Sequence, residues 1–189
     1  MKKLYNHLLL ITTIVAFNIS NANALETYVE GQSGSLMGMA HISGGLRFAD
    51  RHNLQAGVGY VTKLSNHAEM TLLSLRYRYD SPLQYQLGDM VFKPFNIGMG
   101  LLIGSHNELF VTLPDRYPDG YYMPSALRLV FNYQATLQFS PQWEAFLDIS
   151  AIDVGLLGYV REPGFYNDNY DFFGLSGITN WGLGLRYTF

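Results

Sequence analysis

The nine residues Trp181-Gly182-Leu183-Gly184-Leu185-Arg186-Tyr187-Thr188-Phe189 constrain this chain more than any other stretch. Odd positions carry Trp, Leu, Leu, Tyr and Phe, while even positions carry Gly, Gly, Arg and Thr. A repeat of two is that of a β-strand, because successive side chains leave a pleated strand on opposite faces. One face is aromatic and aliphatic; the other is small or polar. A strand with one greasy face needs neighbours that hide it or a solvent that tolerates it.

The same alternation marks eight segments, at 26–33, 41–49, 53–62, 70–80, 94–104, 125–139, 142–160 and 178–189. The sixth sets Leu127, Leu129, Phe131, Tyr133, Ala135, Leu137 and Phe139 against Arg128, Asn132, Gln134, Thr136 and Gln138. The fourth sets Leu73, Leu75, Tyr77 and Tyr79 against Ser74, Arg76, Arg78 and Asp80. Glycine pairs lie on the polar face of the third, fifth and eighth: Gly57 and Gly59, Gly98 and Gly100, Gly182 and Gly184. Asp50-Arg51-His52 and Ser140-Pro141-Gln142 make short connections, whereas the gaps 105–124 and 161–177 are long. The gap 81–93 breaks this short–long order, and the pattern leaves open whether it is a loop or extends a strand.

Residues 1–24 read as a secretory signal peptide: Lys2-Lys3, an apolar run from Leu8 to Phe17, and the small-x-small site Ala22-Asn23-Ala24. That run is too short to span a membrane as a helix. The remaining residues, 25–189, are enough for one domain. Within them no segment reaches the ~18 consecutive apolar residues of a membrane helix. Yet the chain is 48% hydrophobic and 15% aromatic, with only 14% charged residues. Such a chain must bury its apolar side chains in a core or show them to lipid strand by strand. With no Cys, disulfides, thiolate metal sites and thiol nucleophiles are excluded. Without Lys2 and Lys3, ten basic residues face fifteen acidic ones, a balance of −5 that offers nothing to nucleic acid.

Eight alternating strands suit a barrel of either polarity. A soluble lipocalin-like barrel would leave the glycine pairs facing water, weakening its strands for no gain. A membrane barrel turns them into a narrow lumen, where small residues relieve crowding. Phe48, Tyr77, Tyr79, Phe139, Trp143, Tyr187 and Phe189 all fall near one rim, as an interfacial belt would. The expected fold is therefore all-β: a single eight-stranded antiparallel transmembrane β-barrel, with short turns periplasmic and long loops outside. Over residues 25–189 this pattern resembles small bacterial outer-membrane barrels of the OmpA and OmpX type, and the strand ending in Phe189 is similar to their closing strand. The resemblance is one of pattern and termini, without a family-specific motif. It implies an outer membrane of Gram-negative type, contact with its lipid and lipopolysaccharide, and reading of Phe189 by the barrel-assembly machinery.

The polar faces collect a lumen set of Glu30, Arg47, Arg76, Arg78, Arg128, Glu144, Asp148, Asp153 and Arg186. Charges so balanced in so narrow a space are expected to pair with one another, since an unpaired buried charge costs several kcal/mol. A structural plug is the expected outcome, ahead of an ion pathway. Strict alternation from Trp143 would aim Asp153 at lipid, so a β-bulge at Ala151-Ile152 that returns it to the lumen is expected.

The alternative is an enzyme. His41-Ile42-Ser43 resembles, in residue types alone, the His-x-Ser pair that PagL-type lipid A deacylases use with a Glu, a base beside a hydroxyl nucleophile. It departs from that family in lying on the second strand and in having Gly44 where Asn follows the motif. PagP-type acyl transfer fits less well, because no amphipathic helix precedes the first strand. No phosphate loop, zinc spacing or Rossmann fingerprint is present, the loop carboxylates follow no EF-hand spacing, and no cofactor or metal is expected.

The loop stretches 114–122 and 163–173 combine Tyr, Asp, Asn, Gly and Pro, the composition of recognition surfaces. Tyr117, Tyr121, Tyr122, Tyr166 and Tyr170 are the recognition candidates. The expected function is that of a non-enzymatic outer-membrane barrel acting through these loops, with a deacylase-like enzyme or a narrow channel as alternatives.

Overall fold

The computed structural model describes residues 25–63, 69–106, 109–110, 126–153, 156, 160–168 and 179–189. Their strands are β1 (Glu26–Gly34), β2 (Ala40–Phe48), β3 (His52–Val61), β4 (Met70–Asp80), β5 (Tyr85–Leu87), β6 (Met90–Ser105), β7 (Leu127–Gln138), β8 (Trp143–Ile152) and β9 (Thr179–Thr188). Antiparallel ladders link β1 to β4 in order and β6 to β9 in order; β4 pairs with β6, and β9 returns to β1. Eight strands thus close on themselves, and β5 stands outside the ring as a short hairpin on β6. Closure gives each ring strand two partners and removes the unpaired edges that neither water nor lipid tolerates well. Ring strands of 9 to 16 residues are long enough to cross a bilayer core, which takes ~9–11 tilted residues.

The alternation decides which face goes where. Tyr28, Glu30 and Gln32 of β1, Ser74, Arg76 and Arg78 of β4, and Asn132, Gln134 and Thr136 of β7 are buried inside. Between them Leu73, Leu75, Phe131, Leu183 and Leu185 point outward and are exposed, Leu183 to 66%. The barrel is inside-out compared with a soluble one: polar within and apolar without. In water so continuous an apolar surface would aggregate; in a bilayer it is solvated. At the rim where β1 begins and β9 ends, Trp143 lies tilted against Tyr187 at 5.0 Å, Tyr187 meets Phe189 at 5.2 Å, and His52 lies between Phe48 and Tyr79 at 5.6 and 5.4 Å. This is the belt a membrane–water interface favours.

Lumen glycines make room for specific side chains. A methyl group at Gly45 would collide with the Tyr28 ring, and one at Gly184 with the Phe146 ring, each across a single ladder pair. One at Gly100 would come within 2.8 Å of Arg76 Cγ. The glycines on the polar faces are thus sockets for the large residues that fill the interior.

Three strand assignments differ from the sequence reading. The gap 81–93 turns out to be mostly strand: β6 begins at Met90, and Tyr85–Leu87 doubles back on it through Gly88, whose φ of +63° suits the tight turn. The strand expected to run to residue 160 stops at Ile152. The bulge expected at Ala151-Ile152 is absent, for β7 and β8 pair in continuous register through Val130 and Ile152. Asp153 escapes the outer face differently. The strand ends there, and the carboxylate, 5% exposed, accepts from the Leu129 N–H at 3.3 Å. The ladder irregularity falls instead between Lys93 and Asn96, at Pro94, which has no N–H to give.

Candidate functional site in the barrel interior

Register assembles the centre of the interior. Glu30 of β1 lies opposite Arg186 of β9, which lies opposite Glu144 of β8, so one guanidinium stands between two carboxylates on adjoining strands. Arg186 Nη2 donates to Glu30 Oε2 at 2.8 Å and Nη1 to Glu144 Oε2 at 2.6 Å, while Nη2 also reaches Gln134 Oε1 at 2.7 Å. Its planar group lies 5.3 Å from the Tyr28 ring centre and 5.1 Å from that of Phe146. Cation–π contact and bidentate pairing are the uses to which Arg, unlike Lys, is suited.

Cations from the far wall complete the network. Arg76 Nη2 donates to Glu30 Oε1 at 2.8 Å and to Gln32 Oε1 at 3.2 Å, and Nη1 lies 3.6 Å from Asp148 Oδ2. Arg78 Nε donates to Asp80 Oδ1 at 2.8 Å. Towards the terminal rim, Arg47 Nη1 bonds Glu26 Oε2 at 2.9 Å and Lys93 Nζ bonds Glu144 Oε1 at 2.8 Å. Ten ion pairs join Arg47, Arg76, Arg78, Lys93 and Arg186 to Glu26, Glu30, Asp80, Glu144 and Asp148. A balanced, mutually bonded set satisfies the condition under which charges can be held away from water.

Of the residues singled out from sequence, Glu30, Arg47, Arg76, Arg78, Glu144, Asp148 and Arg186 come together in this network. Arg128 and Asp153 lie apart from it, near the opposite rim; Arg128 Nη1 donates to the Leu127 carbonyl at 3.1 Å. Sequence reasoning placed Asp80 and Gln134 on the polar face without counting Asp80 in the lumen set, and missed Glu26, Lys93 and the neutral partners Tyr28, Gln32, Gln55 and Asn53. The signal was there for several of them: Tyr28 and Gln32 flank Glu30 at the spacing of two.

His41 and Ser43 both face the interior, 4% and 3% exposed. The imidazole does not engage Ser43: its Nε2 shares a 2.8 Å hydrogen bond with Ser74 Oγ on β4, and Ser43 Oγ has no protein partner among the described residues. His41 Nδ1 likewise lacks one, so no carboxylate orients the ring as a triad requires. Tyr117, Tyr121, Tyr122 and Tyr170 lie outside the described residues. Tyr166 falls in the short helix Pro163–Asp168, and its side chain is outside the description too.

No family model matches the chain, and no curated protein matches it. Among solved structures it is similar to a transmembrane β-barrel designed de novo, at 11% identity over 89% of this chain and 98% of that one, with a TM-score of 0.44. It is similar also to the N-terminal β-barrel domain of Pseudomonas aeruginosa OprF, at 13% identity over 87% and 97%, with a TM-score of 0.43. The barrel assignment rests on the ladders and faces described above.

Proposed function

We propose that the chain is a non-enzymatic outer-membrane protein: a lipid-embedded barrel whose polar interior is a structural plug and whose activity lies in connections at the rim opposite the termini. Adhesion, host or phage contact and envelope integrity are the roles that suit it. The observation that carries this reading is the interior itself, in which cations are paired with anions and Arg186 and Glu30 are 1% exposed. Side chains so committed to one another leave a lumen to hold the barrel together rather than to pass solutes. The apolar exterior supports the membrane setting. The burial of His41 and Ser43, on the face away from the outer surface along which lipid would pass, weighs against a deacylase. The longest connections, 106–126 and 153–178, lie at the rim opposite 49–51 and 139–142, which supports the reading, although 35–39 is short at that outer rim and 81–89, with its hairpin, is long at the terminal one.

The test begins in cells. The protein is expected in the outer-membrane fraction, heat-modifiable on gels, with assembly impaired by deletion of Phe189. Recovery as a soluble periplasmic monomer would reject the proposal. Shortening 105–124 and 161–177 is then expected to abolish adhesion or phage contact while heat-modifiability persists. Lipid A mass spectra from cells carrying wild type and Ser43→Ala are expected to match; loss of an acyl chain that depends on Ser43 would turn the assignment to a hydrolase.

A further inference from the structure

One strand lies outside the closed ring. β5 pairs with β6 alone, through Tyr85 with Phe92, Gln86 with Val91 and Leu87 with Met90. No described strand pairs with its other edge. Register shows which way this hairpin faces, because residues opposite each other on an antiparallel ladder share a face. Phe92 is opposite Leu137, Leu137 opposite Ala145, and Ala145 opposite the outward Leu185. Tyr85 and Phe92 therefore continue the outer face of the barrel, and Leu87 and Met90, two residues along each strand, share it. Gln86 and Val91 take the inner face, in line with Gln138.

The hairpin prolongs the wall at the rim where β1 begins and β9 ends. The β4–β6 ladder stops there at Asp80 and Asn96, and β5 takes over the edge of β6 from Tyr85 onward. Its base is fixed to the barrel. Phe95 lies edge-on to Tyr133 at 5.3 Å, and the Ser81 N–H donates to the Phe95 carbonyl at 3.1 Å. Beyond that base the surface is apolar: Leu83, Tyr85, Leu87 and Met90 are 39–52% exposed. Between Ser81 and Phe92 the sequence has one charge, Asp89, beside the turn at Gly88.

Two requirements fix where such a hairpin can rest. Its outer face is apolar and continuous with the face that lipid solvates, so water alone is a poor solvent for it. The free edge of β5 sets the opposite limit, because unpaired backbone N–H and C=O groups are not tolerated in hydrocarbon. Both are met at one depth, where acyl chains give way to hydrated head groups, and tyrosine side chains collect at that level. We infer that the β5–β6 hairpin is a membrane-surface contact whose occupant is phospholipid of the leaflet at this rim. Tyr85 and Leu87 lie on the upper ends of the acyl chains; Gln86, Asp89 and the free edge remain in water. The apolar exterior is then taller along β5, β6 and β7 than on the side of β1 to β3, and the hairpin sets how deep that side of the barrel sits. The inference requires the barrel to span a bilayer and nothing of the plug or the loops.

The chain has two Trp, Trp143 and Trp181, so replacing both with Phe makes an introduced Trp the sole depth reporter. This background is folded into phosphatidylcholine vesicles whose lipid carries bromine either near the glycerol or near the chain end, with iodide as the quencher in water. Tyr85→Trp is expected to be quenched more by bromine near the glycerol than by bromine near the chain end. Leu75→Trp, at the middle of β4, is expected to show the reverse order, and Gln86→Trp to be quenched mainly by iodide. Leu87→Glu, added to Tyr85→Trp, should remove the bromine quenching by setting a charge on the same face. The ring ladders exclude β5, so that variant should stay heat-modifiable. Iodide quenching of Tyr85→Trp without bromine quenching, while Leu75→Trp reports chain-end bromine, would overturn the inference and leave the membrane barrel standing. Equal bromine quenching of Tyr85→Trp and Gln86→Trp, or quenching that survives Leu87→Glu, would overturn it too. Escape of Leu75→Trp from bromine would reject the bilayer setting itself, and the inference with it.

Discussion

Arg186 is the residue on which most of the interior depends. It bonds Glu30, Glu144 and Gln134 from one position on β9 and lies between two aromatic rings. Removing it would leave two buried carboxylates short of their main partner, whereas desolvation of the intact network has already been met by its own pairing. Arg186→Met is therefore expected to destabilise the barrel by about 3–5 kcal/mol, read from urea unfolding in liposomes. The outward Leu185→Met should shift it by less than about 1.5 kcal/mol, as volume-conserving apolar exchanges do. Glycine substitutions give a second contrast at this scale. Gly184→Ala drives a methyl into the Phe146 ring and should cost about 1–3 kcal/mol as overpacking. Gly31→Ala, whose Cβ meets nothing within 4 Å, should cost none of that. Equal effects at the two positions would mean that the lumen glycines are not sockets.

At the scale of the strand, facing can be tested by depth. Leu75 is at the middle of β4, paired with Ala56 and Leu101, and points outward at 47% exposure. Leu75→Arg is expected to cost about 2–4 kcal/mol in a bilayer, and Leu129→Arg, two residues from the end of β7, less. Single-Cys variants at these positions should react with lipid-soluble probes, and a variant at Arg76 with neither class readily. This facing was legible because lumen and lipid residues alternate without a slip along β4, β7 and β9, so a count of two sufficed. Strand ends were less so. The run from Val154 to Val160 is apolar apart from its glycines and would continue a strand by pattern, but β8 stops at Ile152, although β7 runs on to Leu127, and the Leu129 N–H goes to the Asp153 carboxylate. Nor does periodicity tell a loop from a hairpin: Tyr85–Leu87 is a strand because Gly88 turns it back on β6. The charges of the interior were readable from their face. Their partners were not, because Arg76 and Glu30 are 46 residues apart and meet only when β4 and β1 curve towards each other around the barrel.

For the whole molecule the decisive question is whether the lumen conducts. On the proposed plug, two layers would obstruct it: the turn Ser35–Met37, whose Met37 packs against Leu72, Leu102 and Val130, and the ion-pair network. They differ in physics, the first being held by apolar packing and one hydrogen bond from Ser35, the second by charge pairing. The wild type is therefore expected to give no steady current in planar bilayers. Met37→Gly, which takes the anchor from Leu72, Leu102 and Val130, should leave the bilayer silent, because the network still closes the barrel. Glu30→Ala combined with Arg186→Ala removes the central pair without leaving either partner unmatched by the other, so much of the single-variant penalty is avoided. Added to Met37→Gly, it is expected to produce small, salt-dependent currents. Currents from Met37→Gly alone would mean that the turn is the sole barrier and that the charged interior is a pathway, which would replace the structural plug by a gated narrow channel. Silence from the triple variant in a barrel shown to be folded by heat-modifiability would mean that Arg76, Arg78 and Glu144 suffice to close it, placing the obstruction in the network as a whole rather than at its centre.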